Sequence, residues 1–249
     1  MVIIAENEAE NIADALESVH WVDDVVVVDS GSSDRTIEIA KRYTERVTTR
    51  LWEGYGSQKN YATGLANYDW VLSIDADERV SKELAEEIQA LMQSGPAMQG
   101  YRIPRTTSYL GRWIRSTDWY PDRQLRLYDR RVAQWNDRYV HESVRVQGRV
   151  GSLRAELYHR SYRGIGDHLS RMNHYTTLAA AQMMADGRRT NWLDLIAYPP
   201  IVFFRNYIWR RGFSDYLPGL IVSLMNTYYV FCKYAKLWEQ QTKSKRTSD

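Results

Sequence analysis

Two apolar runs of the chain, "VVVVDSGSSD" (Val25–Asp34) and "WVLSIDADE" (Trp70–Glu78), end abruptly in carboxylates. Four consecutive valines are typical of a strand that is buried on both faces, as in a parallel sheet. A hydrophobic core gives no reason for Asp29, Asp75 or Asp77, because burying an unpaired carboxylate is costly. Both acidic ends therefore indicate a bound ligand at the carboxyl ends of the strands.

The N-terminal pattern alternates strands with helices. Strands are predicted at Val2–Ala5, Val25–Val28 and Trp70–Ile74, and helices around residues 12–19, 34–43, 57–65 and 81–92. Such alternation implies a parallel sheet with right-handed crossovers. The predicted fold class is α/β, a Rossmann-related and mostly parallel sheet flanked by helices, followed by a C-terminal helical region.

The amino-acid composition of the chain changes after residue 100. Arg, Tyr and Trp crowd residues 101–163, with short strands predicted at residues 101–103, 124–128 and 140–146, and a helical pattern begins at Gly166. The chain is accordingly predicted to have three parts, residues 1–100, 101–163 and 164–249. The length of 249 residues is ample for a sizeable core.

Charge is distributed unevenly along the chain. Residues 1–100 contain 8 Lys and Arg against 19 Asp and Glu, whereas residues 101–249 contain 25 against 12. This asymmetry predicts an anionic partner for the second half, namely nucleic acid, an anionic membrane surface or an acidic substrate. Because no nucleic-acid recognition motif is present, nucleic acid is not the expected partner.

The expected compartment is the cytoplasm. Cys232 is the single cysteine, so an intrachain disulfide is excluded and a reducing environment is favoured. The first residues, "MVIIAENE", lack the basic segment of a signal peptide.

The Asp75–Asp77 pair has the chemistry of a cation site. An Asp-x-Asp turn places two hard oxygen ligands close together, which suits Mg²⁺ or Mn²⁺ bridging a diphosphate. The competing interpretation is an ordinary acidic turn after a strand. Three further stretches favour the site: Asn7-Glu8 after the first strand, Asp29–Asp34 after the second, and "SQKN" (Ser57–Asn60) between them and the pair.

Taken together, these segments resemble family 2 glycosyltransferases with the GT-A fold. The resemblance rests on "VIIAENEAENIADALESV", "VVVVDSGSSDRTIEIA", "WEGYGSQKN" and "WVLSIDADERV", which cover residues 2–92. The later stretches "WYPDRQLRLY" and "YVHESV" resemble a narrower subgroup, the bacterial enzymes that add glucose to the inner core of lipopolysaccharide.

The resemblance implies an inverting, metal-dependent hexosyltransferase with a UDP-sugar donor and a lipid-linked saccharide acceptor. Residues 1–100 would bind the nucleotide-sugar and residues 101–163 the acceptor. The implied nucleotide-sugar contacts are Glu8, Asp29, Ser30, Lys59, Asp75 and Ala76, with Asp29 at the base. The implied ligands of Mn²⁺ or Mg²⁺ are Asp75, Asp77 and His159.

Inverting transfer also needs a carboxylate that takes the proton from the acceptor hydroxyl. Glu142 in "YVHES" is the first candidate, Asp122 in "YPDR" the second and Asp137 the third. A salt bridge to a neighbouring Arg is the competing interpretation of Glu142, and His141 is read as a metal ligand or a structural histidine. Rings and cations that would line the acceptor groove are Trp113, Trp119, Tyr120 and Arg126.

Other functions are open at this point. A Rossmann dehydrogenase or a nucleotidyltransferase would need a Gly-rich turn after the first strand, and "AENEAEN" has no glycine. A different nucleotide-sugar with a polysaccharide acceptor remains an alternative, as does a non-catalytic, membrane-associated scaffold on the same fold.

The C-terminal region has the composition of helices that lie in a membrane interface. Residues 203–249 contain 8 Lys and Arg, 3 Asp and Glu, and eleven aromatic residues, in apolar segments too interrupted to span a bilayer. We expect peripheral attachment to the cytoplasmic face of the inner membrane, where a lipid-linked acceptor would be. The competing interpretation is packing onto the catalytic part or onto a second subunit, so an oligomer is also open.

Overall fold

The structure, a computed structural model, describes residues 1–136 and 143–246. It divides the chain into two compact units. The sheet unit contains Met1–Thr106 and Asp122–His159, and the helical unit contains Thr107–Pro121 and Arg160–Asp249. The predicted division differs in the middle of the chain. Most of residues 101–163 belong to the same unit as residues 1–100, whereas residues 107–121 belong with the helices.

A mixed sheet is the centre of the sheet unit. Its elements include β1 (Val2–Ala5), α1 (Ile12–Glu17), β2 (Val26–Asp29), α2 (Thr36–Ala40), β3 (Val47–Thr49), α3 (Tyr55–Leu65), β4 (Trp70–Asp75), β5 (Glu78–Val80), α4 (Lys82–Ser94) and β6 (Gly100–Tyr109). The chain continues with β7 (Arg112–Ile114), which belongs to the helical unit. The sheet unit then contains β8 (Asp122–Asp129), β9 (Ala133–Trp135), β10 (Val144–Val146), β11 (Val150–Ser152) and β12 (Leu157–His159). Within the described residues the strand order is β3-β2-β1-β4-β8-β6-β12-β5, with β7 and β11 also paired to β6 and with β9 and β10 forming a separate pair.

The first four strands in this order are parallel, and β4 then pairs with β8 in the antiparallel sense. The sheet is thus mixed, whereas the prediction was mostly parallel, because β6 and β8 form an antiparallel ladder of their own. The predicted α/β class, with helices on the sheet and a C-terminal helical region, is confirmed.

The strand order reverses at β1. The chain runs from β1 to β2 and β3 on one side, and β4 lies on the other side. In open α/β sheets, ligands bind beyond the carboxyl ends of the strands at such a reversal. The register places Ala5 beside Asp29 and Ile4 beside Asp75. The acidic ends of β2 and β4 therefore flank the end of β1, at one edge of the sheet.

Both faces of the parallel strands are covered. Alternate residues of β1 enter two different hydrophobic clusters, Ile3 with the residues of α1 and α4, and Ile4 with those of α3. Burial on both sides explains why the valine run of β2 is continuous. Ser81 caps α4, because its hydroxyl accepts the backbone N–H of Leu84 at 3.1 Å.

The helical unit is built on two long helices. Its helices are α5 (Ile165–Ala185), α6 (Trp192–Ile196), α7 (Tyr198–Phe204) and α8 (Tyr216–Arg246), with a π-helical turn at Arg205–Trp209 and 3₁₀ turns at Thr117–Trp119 and Gly212–Asp215. One face of α5, from His168 through Met172 and Thr176 to Ala180, is buried, and α5 packs along α8. Within the part of the chain that the structure describes, no helix has the length and apolarity needed to cross a bilayer.

Two buried polar side chains fasten residues 107–121 to these helices. The carboxylate of Asp215 accepts the backbone N–H of Arg115 at 2.8 Å and the hydroxyl of Ser116 at 2.6 Å. Asn206 accepts the backbone N–H of Asp118 at 2.7 Å and donates to its carboxylate at 2.9 Å. Such pairings link positions about 90–100 apart in sequence, so no local pattern reveals them.

Candidate active site

The loops that follow β1 and β2 are joined by hydrogen bonds. The backbone N–H of Asn7 donates to the hydroxyl of Ser32 at 2.8 Å, and that of Glu8 donates to the hydroxyl of Thr36 at 2.8 Å. Asn7 has a positive φ of 55°, a conformation that Asn adopts more readily than most residues. The carboxylate of Glu8 accepts the amide of Asn11 at 2.8 Å. The two loops thus form one polar surface at the edge of the sheet.

Asp29 shapes the loop that follows it. Its carboxylate accepts the backbone N–H groups of Gly31 and Ser32, both at 2.8 Å, and the hydroxyl of Ser32 at 2.5 Å. Gly31 has a φ of 101°, which only glycine adopts without strain. Asp29 is buried and already satisfied on both oxygens, so the structure gives it a loop-forming role at the position where the nucleoside contact is predicted.

Helix α3 brings a buried lysine to this edge. The Nζ atom of Lys59 lies 2.8 Å from Oδ1 of Asp75 and 4.5 Å from the ring centroid of Trp135. The neighbouring Gln58, which is fully buried, donates to the hydroxyl of Ser30 at 3.0 Å. The "SQKN" stretch therefore contacts the ends of both acidic strands, as its sequence position predicts.

Asp75 is held between two cations. Its Oδ2 accepts from Arg126 at 2.5 Å while its Oδ1 faces Lys59, and its backbone N–H donates to Glu78 at 2.9 Å. Burial by itself would raise the pKa of Asp75, but the charges of Arg126 and Lys59 outweigh burial and hold this pKa well below its usual range. Asp75 is therefore ionised, with both oxygens engaged by the protein.

Asp75 belongs to a chain of ion pairs that continues from Arg126 through Glu78 to Arg105. Glu78 is fully buried, and its Oε1 accepts from Arg126 at 2.6 Å and from Arg105 at 2.9 Å. Arg105 in turn makes two bonds to Oδ2 of Asp122, at 2.9 and 2.6 Å. Burial alone would lower the pKa of Arg126, yet Asp75 and Glu78 raise it above its ordinary value.

Arg126 and Asp122 occupy positions that differ from the predicted ones. Arg126 was expected in an acceptor groove, but it is 3% exposed and its guanidinium is bound to Asp75 and Glu78. Asp122 was the second candidate for the base, but it accepts two bonds from Arg105 and one from Gln124 at 2.6 Å. We therefore reassign both side chains to the support of the Asp-x-Asp turn.

Asp77 stands apart from the ion pairs. Its Oδ2 lies 3.2 Å from Nε2 of His159, because β5 and β12 pair with Glu78 opposite His159. Among the described residues, Asp77 is the one carboxylate of this cluster with no Lys or Arg partner. Asp77 and His159 thus offer one oxygen and one nitrogen ligand at the edge of the sheet.

The residues fit a divalent cation only as an incomplete site. Within residues 1–136 and 143–246, no group of three or more His, Cys, Asp or Glu side chains is arranged to hold a metal ion. Asp77 and His159 are two of the three predicted ligands, whereas Asp75 has both oxygens committed to cations. Mg²⁺ in particular is usually bound by one or two carboxylates together with substrate phosphates. The donor set fits a cation whose remaining ligands come from a diphosphate.

The other predicted residues are placed as follows. The side chain of Ala76 belongs to the hydrophobic core, so any contact with a nucleotide would be made by its backbone. Trp113, Trp119 and Tyr120 belong to the helical unit, and the ring of Trp119 stacks on Tyr162. Glu142, Asp137 and His141 lie outside the described residues.

Sequence reasoning did not single out Glu78, Arg105 and Gln58. Glu78 carried a signal, since it directly follows the Asp-x-Asp pair in "DADE", and Gln58 lies inside the quoted "SQKN". Arg105 carried none, because its partner Asp122 is brought to it only by the pairing of β6 with β8.

The buried ion pairs lead to a stability prediction. Arg126→Met is expected to lower the free energy of unfolding by about 3–5 kcal/mol, because it removes a buried cation and two charge-assisted hydrogen bonds, which among the described residues leaves Asp75 with Lys59 alone and Glu78 with Arg105 alone. Arg131→Met is the matched control. Arg131 pairs with Asp129, the last residue of β8, and with Asp69, but its side chain is mostly exposed. Its replacement should therefore change stability little. Urea unfolding of both variants tests this, and equal effects would contradict the assignment of Arg126 as the buried counter-charge.

Comparison with known proteins gives consistent matches. The family model described as "Glycosyl transferase family 2" matches residues 1–150. The lipopolysaccharide core biosynthesis glycosyltransferase LpsC of Rhizobium meliloti is 31% identical over 96% of this chain and 91% of its own. An uncharacterized glycosyltransferase of Rickettsia felis is 31% identical over 98% of this chain and 90% of its own.

One solved structure extends the comparison to three dimensions. It is glucosyl-3-phosphoglycerate synthase from Mycobacterium tuberculosis in complex with Mn²⁺, UDP and phosphoglyceric acid. The two proteins are 17% identical, with a TM-score of 0.50 over 76% of this chain and 78% of the other. At this identity the likeness concerns the fold alone.

Proposed function

The chain belongs to glycosyl transferase family 2, and from this premise we propose that it moves a sugar, glucose by preference, from a UDP-sugar to a lipid-linked glycan with inversion at the anomeric carbon. The observation that carries the proposal is the convergence of the Asp29 loop, Lys59 and the Asp75–Asp77 turn at the point where the strand order reverses. The fold is GT-A-like, as the resemblance implied.

The donor would lie across this edge of the sheet. The loops after β1 and β2 would bind the nucleoside, and Lys59 would face the diphosphate side of the turn. Asp77 and His159 would hold Mn²⁺ or Mg²⁺, and the bound cation would stabilise negative charge on the departing diphosphate. The M. tuberculosis synthase was solved with Mn²⁺ and UDP, which agrees with this choice of donor and cation.

The ion pairs of Asp75, Glu78 and Asp122 would hold the Asp75–Asp77 turn in one conformation before the donor binds. Lys59 and Arg126 bind the two carboxylate oxygens of Asp75, and Glu78 accepts its backbone N–H. These three contacts restrain the turn that contains Asp77. Charges that are oriented before the reaction stabilise a transition state without the cost of reorganisation. We propose Glu142, the first candidate from the sequence, for proton removal from the acceptor hydroxyl, since the second candidate, Asp122, is engaged by Arg105.

The proposed acceptor is a glycan of the lipopolysaccharide core. The name of the R. meliloti relative supports this class of acceptor. The excess of Lys and Arg in residues 101–249, 25 against 12 Asp and Glu, favours an anionic acceptor of that kind.

The test is a thermal-shift screen of UDP-, GDP-, CMP- and TDP-sugars, each with and without Mn²⁺. A ligand that binds only the folded protein raises its melting temperature by mass action. We expect a UDP-sugar with Mn²⁺ to give the largest increase. A larger increase with another nucleotide would replace the donor, and no increase with any of them, together with no hydrolysis of a UDP-sugar, would favour a non-catalytic scaffold.

We also propose that the helical unit attaches the protein to the membrane surface. Large apolar side chains are exposed along residues 192–217, which we call the exposed apolar segment. They include Trp209 at 85% exposure, Tyr216 at 70% and Trp192 at 66%. The others are Leu193, Ile196, Tyr198, Ile201, Phe204, Ile208, Phe213 and Leu217.

Cations are interleaved with these apolar side chains. Arg205, Arg210 and Arg211 all lie in the exposed apolar segment. Arg205 and Arg210 are about half exposed and pair with Asp118, and Arg211 is exposed. Exposed aromatic rings beside arginines are typical of segments that lie in the interface of an anionic membrane. The segment begins about ten residues before the predicted boundary at residue 203, and Tyr234, which was counted among the interfacial rings, is buried.

Liposome flotation tests this attachment. The triple variant Phe204→Ser, Ile208→Ser, Trp209→Ser is expected to lose flotation with anionic vesicles at low salt, because three anchors in the interface are removed. A triple variant on α8, Leu224→Ser, Tyr228→Ser, Trp238→Ser, is the control and should still float, although its residues are also exposed. A wild-type protein that stays in the soluble fraction, or that dimerises through this segment, would contradict the proposal.

A further inference from the structure

The helical unit contains a cavity of about 240 Å³. It lies between the 3₁₀ turn at Thr117–Trp119, α5 and α8. Apart from two methionines, its lining residues are Trp119, Tyr162, His168, Tyr175, Asn226 and Tyr229. Every lining residue belongs to the helical unit, so the cavity is formed without the sheet unit.

Part of its wall is a fixed group of rings. Trp119 stacks on Tyr162 with centroids 5.2 Å apart and an interplanar angle of 15°. The buried ring of Tyr109 meets both of them edge-on, at 5.3 and 5.7 Å. His168 lies 4.4 Å from Tyr162, and its Nδ1 is 3.0 Å from the hydroxyl of Tyr109. Rings that restrain one another in this way form a surface that is already organised for a ligand.

The cavity is uncharged but rich in hydrogen-bonding groups. No Lys, Arg, Asp or Glu lines it among the described residues. Burial lowers the pKa of His168 to about 4, so the imidazole is neutral near pH 7. In the described part of the chain, the hydroxyls of Tyr162, Tyr175 and Tyr229 and the side-chain carbonyl of Asn226 have no hydrogen-bond partner.

These properties select among classes of ligand. An acyl chain that displaced water from the cavity would leave the hydroxyls and the amide oxygen without partners, which is costly. A phosphate or carboxylate would meet no cation. A sugar ring offers C–H faces to aromatic rings and hydroxyls to polar edges, and the volume, below the range of about 300–1,000 Å³ for drug-sized ligands, suits a single ring.

We infer that this cavity binds one neutral pyranose unit of the saccharide acceptor. The inference rests on the proposed function for the identity of the acceptor, but its test does not, because it measures sugar binding to the helical unit rather than transfer. It also gives a role to Trp119, which the sequence predicts as an acceptor residue.

The experiment is saturation-transfer NMR on the full chain with neutral methyl pyranosides of the gluco, galacto and manno series. We expect saturation transfer from aromatic protons to at least one of them. The double variant Tyr175→Phe, Asn226→Ala should bind it about 30-fold more weakly, since each of the two lost hydrogen bonds contributes about 1 kcal/mol. Tyr68→Phe, which alters an exposed tyrosine of the sheet unit, is the control and should bind normally.

Thermal shift with a UDP-sugar, measured in parallel, separates the two proposals. Loss of pyranoside binding with an unchanged response to the donor supports the inference. Binding of hexanol in competition with the pyranoside, equal binding by both variants, or no pyranoside binding by the folded wild type would overturn it. An absent donor response with intact pyranoside binding would count against the proposed function alone.

Discussion

Asp77→Asn is expected to reduce sugar transfer by about 10³-fold or more while the fold survives. A cation on the departing diphosphate stabilises the transition state by several kcal/mol, and each 1.36 kcal/mol is a factor of ten in rate. An amide is a neutral and weaker ligand, so the Asp77–His159 pair would lose its anionic member. Because Asp77 has no Lys or Arg partner among the described residues, the substitution leaves no buried cation unpaired, and stability should change little.

Mn²⁺-dependent UDP binding, followed by calorimetry, and circular dichroism together test this expectation. Asp69→Asn is a matched control, because Asp69 is exposed and lies just before β4, at the end of the strand that is far from Asp75. It should retain both activity and metal-dependent binding. An Asp77→Asn protein whose UDP affinity still depended on Mn²⁺ as in the wild type would remove Asp77 from the cation site.

Glu142→Gln should lower turnover by about 10²–10⁴-fold, the usual contribution of general-base catalysis, with donor affinity nearly intact. Glutamine has the shape of glutamate but cannot take the proton from the acceptor hydroxyl. The second candidate, Asp122, accepts hydrogen bonds from Arg105 and Gln124.

Single-turnover rates and UDP-sugar affinity, measured on Glu142→Gln and Asp122→Asn, distinguish the two carboxylates. Asp122→Asn should act mainly on stability, by weakening the chain of ion pairs from Arg105 to Glu78. If it instead abolishes turnover in a protein of normal stability while Glu142→Gln is active, the base is Asp122.

Local patterns predicted the parallel half of the fold well. The apolar runs at Val2–Ala5 and Trp70–Ile74 match β1 and β4 to within a residue, because strands buried on both faces read as continuous apolar segments. The carboxylates that end β2 and β4 follow from the same pattern. Their meeting at one edge follows from the rule that parallel strands place their carboxyl ends together.

Local patterns did not predict the antiparallel half of the sheet or the buried ion pairs. Arg126 looks like any other cation of an Arg-rich stretch, and only the pairing of β4 with β8 brings it to Asp75, 51 positions away in sequence. The grouping of residues 107–121 with the C-terminal helices depends likewise on the long-range contacts of Asn206 and Asp215.

Each of the two units is built from two separate segments of the chain, and this limits how related proteins can exchange a whole unit by recombination. The chain leaves the sheet unit within β6, after Thr106, re-enters it at Asp122 and leaves it again after His159. A recombination event with one crossover near residue 159 would therefore separate residues 107–121 from the helices that they contact through Asn206 and Asp215. A chimera that carries a foreign helical unit needs three junctions, near residues 106, 121 and 159. Residues 107–121 and the C-terminal helices must then be inherited from the same parent.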